Sequence, residues 1–255
     1  MHNINNIITK ENFDAVLFDM DGVLTVTATV HAKCWKRMFD QFLEGYSEKN
    51  NQPFIPFDED RDYKLYVDGK PRNDGVRSFL ESRGITLPEG NSESIPDNST
   101  ISGLANWKNI CVNNVFRTKG VDVYEGSLRY VLHIRSLEIK TAVVTSSKNC
   151  DEILKTAGIN ELFDARVDGT VSSELNLSGK PDPDIFLEAA KKLGVSPKRS
   201  VVIEDAISGV QAGKNGGFGL VIGVNRDGDP ELLSKNGADI VVNDLGELLS
   251  RKYME

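Results

Sequence analysis

The sequence predicts an α/β protein, a Rossmann-like doubly wound parallel sheet core interrupted by an inserted, mainly helical domain. Three observations carry this expectation. An unbroken apolar run, Ala15-Val16-Leu17-Phe18, breaks into Asp19-Met20-Asp21-Gly22-Val23. Beyond Gly126, apolar runs alternate with helix-like stretches, as repeated βα units demand. Between residues 27 and 126, helical patterns follow one another without strand runs between them. The expected boundaries are therefore 1–26 and 127–255 for the core and 27–126 for the insert. A chain of 255 residues has room for both, since domains cluster at roughly 100–150 residues.

Taken in order, residues 15–18 form the first strand, because an apolar run without alternation suits a parallel strand covered on both faces. Asp is disfavoured inside strands, so Asp19 and Asp21 mark its carboxyl end. In open α/β sheets that is the end where ligands bind. Within the insert, helices are expected over 31–43, 74–82 and 102–118. The connections 48–62 and 84–99 are rich in Asn, Pro, Ser, Asp and Glu and read as exposed loops. Later strands are expected at 140–144, 200–203, 219–222 and 240–242. Asp182-Pro183 reads as an N-cap with proline in the first turn, followed by one apolar helical face, Ile185, Phe186, Ala189, Ala190 and Leu193, that ends at Gly194. Right-handed crossovers follow from this alternation.

Lys and Arg number 30 against 38 Asp and Glu, a formal net charge of −8. That balance argues against nucleic acid or an anionic membrane as partner, while phosphorylated small molecules stay open wherever positive charge is concentrated. The cysteines Cys34, Cys111 and Cys150 are an odd number at wide spacing with no CxxC. They make a poor disulfide framework and a poor zinc site, so reduced thiols in a cytoplasm are expected. No apolar stretch approaches the roughly 18 residues of a membrane span, and the opening 1–12 is polar, without a signal core. A cytoplasmic protein, monomeric or weakly dimeric, is expected.

Three strand ends carry polar residues of the kinds phosphoryl transfer needs. The 140–144 run enters Thr145-Ser146-Ser147-Lys148-Asn149, the 200–203 run enters Glu204-Asp205, and the first run enters Asp19 and Asp21. Mg²⁺ prefers oxygen ligands and relies on few carboxylates plus a substrate phosphate, for which Asp19 and Asp205 are suited. Each group alone has an ordinary reading. Asp21-Gly22 is a common turn pair, Lys180 in Gly179-Lys180-Pro181 a loop lysine, and Glu204-Asp205 an acidic pair at a helix start. Ser147, Lys148 and Asn149 begin a helix and cap it, a role compatible with presenting free N–H groups to phosphate. Jointly they point to metal-assisted phosphoryl transfer.

In order along the chain, Asp19-Met20-Asp21-Gly22-Val23, Thr145, Lys180 within Gly179-Lys180-Pro181-Asp182-Pro183, and Glu204-Asp205 resemble the four motifs of the haloacid dehalogenase superfamily. The insert resembles the cap of its β-phosphoglucomutase-like subfamily, through Thr27-Ala28-Thr29-Val30-His31 with Trp35, Gly69-Lys70-Pro71-Arg72, and Trp107-Lys108-Asn109. This resemblance implies Asp19 as nucleophile, forming an aspartyl phosphate, and Asp21 as general acid and base. It implies that Thr145 and Lys180 hold phosphoryl oxygens, and that Asp19, the main-chain carbonyl of Asp21, Glu204 and Asp205 hold Mg²⁺. It further implies substrate contacts from His31, Arg72, Lys108, Asn109, Ser147, Lys148 and Asn149, with Arg72 on the distal phosphate of a sugar bisphosphate. The implied activity is isomerisation of a hexose phosphate on a small phosphorylated sugar. The alternatives are a sugar-phosphate phosphatase using the same intermediate and a non-catalytic sensor of phosphorylated ligands. Two departures from the subfamily stand out, the extra segments 48–62 and 84–99 and a valine, Val26, in place of an acidic residue before the cap.

Overall fold

The computed structural model describes residues 7–91, 95–226 and 229–249. Parts of the polar opening 1–12 and of the 84–99 connection lie outside the described residues. Six parallel strands form one sheet in the order β3-β2-β1-β4-β5-β6. They are β1 (Ala15–Phe18), β2 (Lys140–Val144), β3 (Ala165–Val167), β4 (Ser200–Glu204), β5 (Leu220–Val224) and β6 (Ile240–Val242). The order reverses at β1, whose neighbours β2 and β4 run on to opposite edges, so the carboxyl end of β1 is a topological switch point. Phe18 is in register with Val143 of β2 and Ile203 of β4. Asp19, Thr145 and Asp205, just beyond these strands, and Glu204, the last residue of β4, therefore lie at one rim of the sheet.

Two compact units divide the chain, one running through Val26 and resuming at Val121, the other spanning Thr27–Gly120. In the first, helices α4 (Glu125–Ser136), α5 (Cys150–Thr156), α6 (Gly169–Leu175), α7 (Asp184–Leu193), α8 (Ile207–Asn215) and α9 (Pro230–Lys235) accompany the strands. Side chains alternate between sheet faces with a period of two. Leu17, Ala142, Val144 and Val202 accordingly share one core with Ile185, Phe186, Ala189, Ala190 and Leu193 of α7. On α8, Val210 packs with Val221, Leu233 and Ala238 in a second cluster. Layers on both faces explain why the strands read as unbroken apolar runs.

The second unit contains α1 (Ala28–Asn50), a π-helix (Tyr63–Val67), α2 (Arg72–Ser82) and α3 (Ile101–Lys119). Its core is aromatic, with Phe39 stacked between Trp35 at 5.3 Å and Phe57 at 5.1 Å and the Phe79 ring 4.1 Å away. Thr100 caps α3 by accepting from the Gly103 N–H. Among the described residues, no helix is long and apolar enough to cross a membrane.

Several expectations are corrected. The insert ends at Gly120 rather than 126, because residues 121–124 return beside the first motif. There Val26 N–H donates to the Asp122 carbonyl, Tyr124 N–H donates to the Leu24 carbonyl, and Thr25 bridges Val123. Strand β3 was not expected, since its three residues centre on Arg166 and give no apolar run. Strand β4 extends to Glu204, and β5 occupies Leu220–Val224 rather than 219–222. Pro183, not Asp182, holds the N-cap position of α7. The segment 48–62 is no simple exposed loop, because α1 continues to Asn50 and Phe57 and Asp62 are buried. Cys34 and Cys111 are disulfide-bonded, not reduced thiols. Wide spacing concealed the pair, since packing of α1 against α3 brings their Cα atoms within 5.8 Å. Cys150 is a buried free thiol.

Candidate active site

At the carboxyl end of β1, Asp19 is buried and its N–H continues the ladder to the Ile203 carbonyl at 2.9 Å. Lys180, delivered by the loop before α7, donates from Nζ to Asp19 Oδ1 at 2.6 Å and to Glu204 Oε1. Its ammonium also lies 5.1 Å from the Phe186 ring centroid. The second oxygen of Glu204 accepts from the Ala206 N–H at 3.0 Å. Both oxygens of Glu204 thus have partners within the protein.

Two glycines make this crowding feasible. A Cβ on Gly209, in the first turns of α8, would lie 1.9 Å from Glu204 Oε1, so only glycine lets the helix pass over that carboxylate. Gly22 has φ +87°, and a Cβ there would meet Asp205 Oδ2 at 1.8 Å, so a side chain would be strained by both backbone and space.

Thr145 Oγ1 lies 3.5 Å from Asp21 Oδ2 and accepts from the Ser147 N–H at 3.1 Å. The Ser147 hydroxyl accepts from the Asn149 N–H at 3.2 Å. These residues do not begin the helix as expected. α5 starts at Cys150, Asn149 holds its N-cap position without a side-chain cap bond, and Ser147, Lys148 and Asn149 form the turn before it. Lys148 is exposed on that turn.

The electrostatics follow from burial. Burial pushes the Asp19 carboxyl well above the usual carboxylate range, with Glu204 and Asp21 pushing the same way and Lys180 opposing. Burial alone would lower Lys180, but Asp19 and Glu204 outweigh it and hold the ammonium protonated. Oxygen atoms of Asp19, Glu204 and Asp205 lie within 4.8 Å of one another. Three carboxyl groups gather around the one ammonium of Lys180, and an all-oxygen donor set in which acids outnumber bases fits a hard divalent cation.

In the second unit, α1 and α3 bring His31 and Lys108 together, with Lys108 Nζ 3.0 Å from His31 Nδ1 and 4.7 Å from the Trp35 ring centroid. Asn109 follows Lys108 on α3, half-buried. Arg72 opens α2 with a buried Nη1 that has no hydrogen-bond partner among the described residues, and burial lowers its pKa. A buried cationic donor left open in this way is suited to an anion.

Sequence reasoning grouped Asp19, Lys180, Glu204 and Asp205, and the fold unites them. It missed Gly209 as the residue that makes space for Glu204. The signal was present in the Glu204-Asp205-Ala206-Ile207-Ser208-Gly209 run, but a helix-interior glycine announces its purpose only once its neighbour across the turn is known.

A family model described as haloacid dehalogenase-like hydrolase matches residues 13–217. The chain is 46% identical over 242 residues to a β-phosphoglucomutase of Mycobacterium bovis, covering 94% of this chain and 92% of that protein. It is 34% identical over 235 residues to a β-phosphoglucomutase of Bacillus subtilis, covering 92% and 91%. A crystal structure of β-phosphoglucomutase from Clostridium difficile superposes with a TM-score of 0.70 at 26% identity, covering 95% of each chain.

Gly209→Ala is expected to lower stability by about 1–3 kcal/mol, the usual cost of overpacking, because the new methyl displaces Glu204 from Lys180. Urea denaturation measures it, and an unchanged midpoint would show that Glu204 is not confined by α8.

Proposed function

The chain belongs to the haloacid dehalogenase-like hydrolase family, and on that premise we propose that it is a Mg²⁺-dependent phosphomutase interconverting hexose 1- and 6-phosphates through an aspartyl phosphate and a sugar bisphosphate. The observation that carries this reading is the buried Lys180 ammonium joining Asp19 to Glu204 beside Asp205. The similarity to β-phosphoglucomutases over nearly the whole chain supports the substrate class.

In this mechanism a carboxylate oxygen of Asp19 attacks the phosphorus of the sugar bisphosphate. The departing sugar oxygen takes its proton from Asp21, and the P–O bond to sugar breaks as the P–O bond to Asp19 forms. The resulting monophosphate leaves, a second one phosphorylated at the opposite position presents its free hydroxyl, Asp21 removes the proton, and the oxygen attacks the phosphorus of the phosphoaspartate, releasing Asp19 and re-forming the bisphosphate. Lys180 and Thr145 hold the phosphoryl oxygens on which charge gathers. Asp19, the Asp21 carbonyl and Asp205 would hold Mg²⁺, which supplies neutralisation of charge on the transferring group. Ser147, Lys148 and Asn149 offer further donors to the same phosphate.

A mutase must hold two phosphates at once, whereas a hydrolase holds one. Arg72, with its open buried donor, is the second anion site in this reading, through the bidentate geometry that a guanidinium offers phosphate. In this reading His31, Lys108 and Asn109 serve the phosphorylated sugar.

Two measurements test this. Incubation with β-glucose 1-phosphate, Mg²⁺ and catalytic glucose 1,6-bisphosphate should accumulate glucose 6-phosphate, whereas release of inorganic phosphate alone would replace the mutase with the phosphatase reading. Arg72→Ala should lower isomerisation by roughly 10²-fold, about the value of one charge-stabilising donor, while sparing hydrolysis of p-nitrophenyl phosphate. Equal losses on both would remove Arg72 from the distal-phosphate role.

A further inference from the structure

Beyond β5 the chain turns through Asn225 to Arg226, a residue with no part in the reaction as described above. Its guanidinium donates from Nε to the Gly22 carbonyl at 2.7 Å, from Nη1 to the Asn243 carbonyl at 3.0 Å, and from Nη2 to the Val23 carbonyl at 3.5 Å. Nη1 also lies 3.4 Å from Asp244 Oδ2, and the guanidinium carbon sits 3.5 Å over the Tyr124 ring. The side chain is 16% exposed.

Two of the three carbonyls it grips, those of Gly22 and Val23, belong to the turn that carries Asp21. That turn closes on itself, with Gly22 N–H donating to the Thr25 carbonyl and both Leu24 and Thr25 N–H donating to the Met20 carbonyl, each at 2.9 Å. Of its other carbonyls, that of Leu24 accepts from the Tyr124 N–H at 3.0 Å. Arg226 takes that of Gly22 and shares that of Val23 with the Ser127 hydroxyl, which donates at 2.6 Å. Gly22 is free of side-chain restraint, so its torsion must be fixed from outside. The peptide joining Asp21 to Gly22 contains the Asp21 carbonyl, and the setting of Gly22 decides where that oxygen points.

We propose that Arg226 is a positioning residue that locks the Asp21-Gly22 turn, and so aims the Asp21 carbonyl at the cation and the Asp21 carboxylate at the substrate oxygen. This rests on the roles given to Asp21 under the proposed function. Arginine suits the task because one planar fork reaches several acceptors while its face lies on Tyr124, and a lysine point charge does neither.

The test compares Arg226→Lys with Arg199→Gln, which breaks an arginine–carboxylate pair at the opposite end of the sheet, where Arg199 grips Asp14 at 2.5 and 2.9 Å. Mg²⁺ affinity is read by calorimetry, and kcat and KM are read on p-nitrophenyl phosphate and β-glucose 1-phosphate, with folding checked by circular dichroism. Arg226→Lys should weaken Mg²⁺ binding and lower kcat on both esters by roughly 10- to 100-fold, the range for residues that orient metal ligands, with KM little changed. Arg199→Gln should leave all of these at wild-type values. If Arg226→Lys does not fold, Arg226→Gln takes its place. Unchanged Mg²⁺ affinity or unchanged kcat, or an equal loss in Arg199→Gln, overturns the proposal. A wild-type protein that neither binds Mg²⁺ nor cleaves either ester fails differently, removing the Asp21 roles themselves and Arg226's with them.

Discussion

The ammonium of Lys180, fully buried between Asp19 and Glu204, is the interaction on which the rest of the site depends. Taking an ammonium out of water costs several kcal/mol, and only close carboxylates with good geometry offset it. Those carboxylates come from the ends of β1 and β4, separated from Lys180 by 161 and 24 residues. The pair ties the two halves of the first unit to one point on the rim. Removing either side would strand buried charge, a loss of about 3–5 kcal/mol in comparable cases.

Other features of the rim follow from that crowding. Glu204 spends its oxygens on Lys180 and the Ala206 N–H, which leaves Asp205 as the carboxylate turned to Gly22 and the first motif. Glycines stand where a methyl would collide with these acids, at 22 and 209. Carboxyl groups outnumber the one ammonium, an imbalance that the proposed divalent cation would offset. The same logic reaches outward to Arg226, which restrains the turn whose glycine the crowding requires.

Much of this was legible in the sequence, for identifiable reasons. The first strand and β2 were readable to the residue because burial on both faces makes them unbroken apolar runs. The end of β4 was misread by one residue because a buried glutamate inside a strand contradicts propensity until its lysine partner is seen. Strand β3 escaped because it is short and centred on an arginine that pairs with Asp151. The Cys34–Cys111 bond and the Arg226 contacts were hidden for one shared reason. Both join segments far apart in sequence, and neither residue type has a spacing rule that reaches across 77 or 204 positions.

The claim that the rim gathers acids around a divalent cation, with Lys180 beside them, is tested most directly by anomalous diffraction from crystals grown with Mn²⁺ in place of Mg²⁺. The account predicts one strong peak in contact with Asp19 and Asp205 and with the main-chain carbonyl of Asp21, while Lys180 keeps its contact with Glu204. A peak elsewhere, or a rim in which Asp19 and Asp205 share no ion at saturating Mn²⁺, would contradict it.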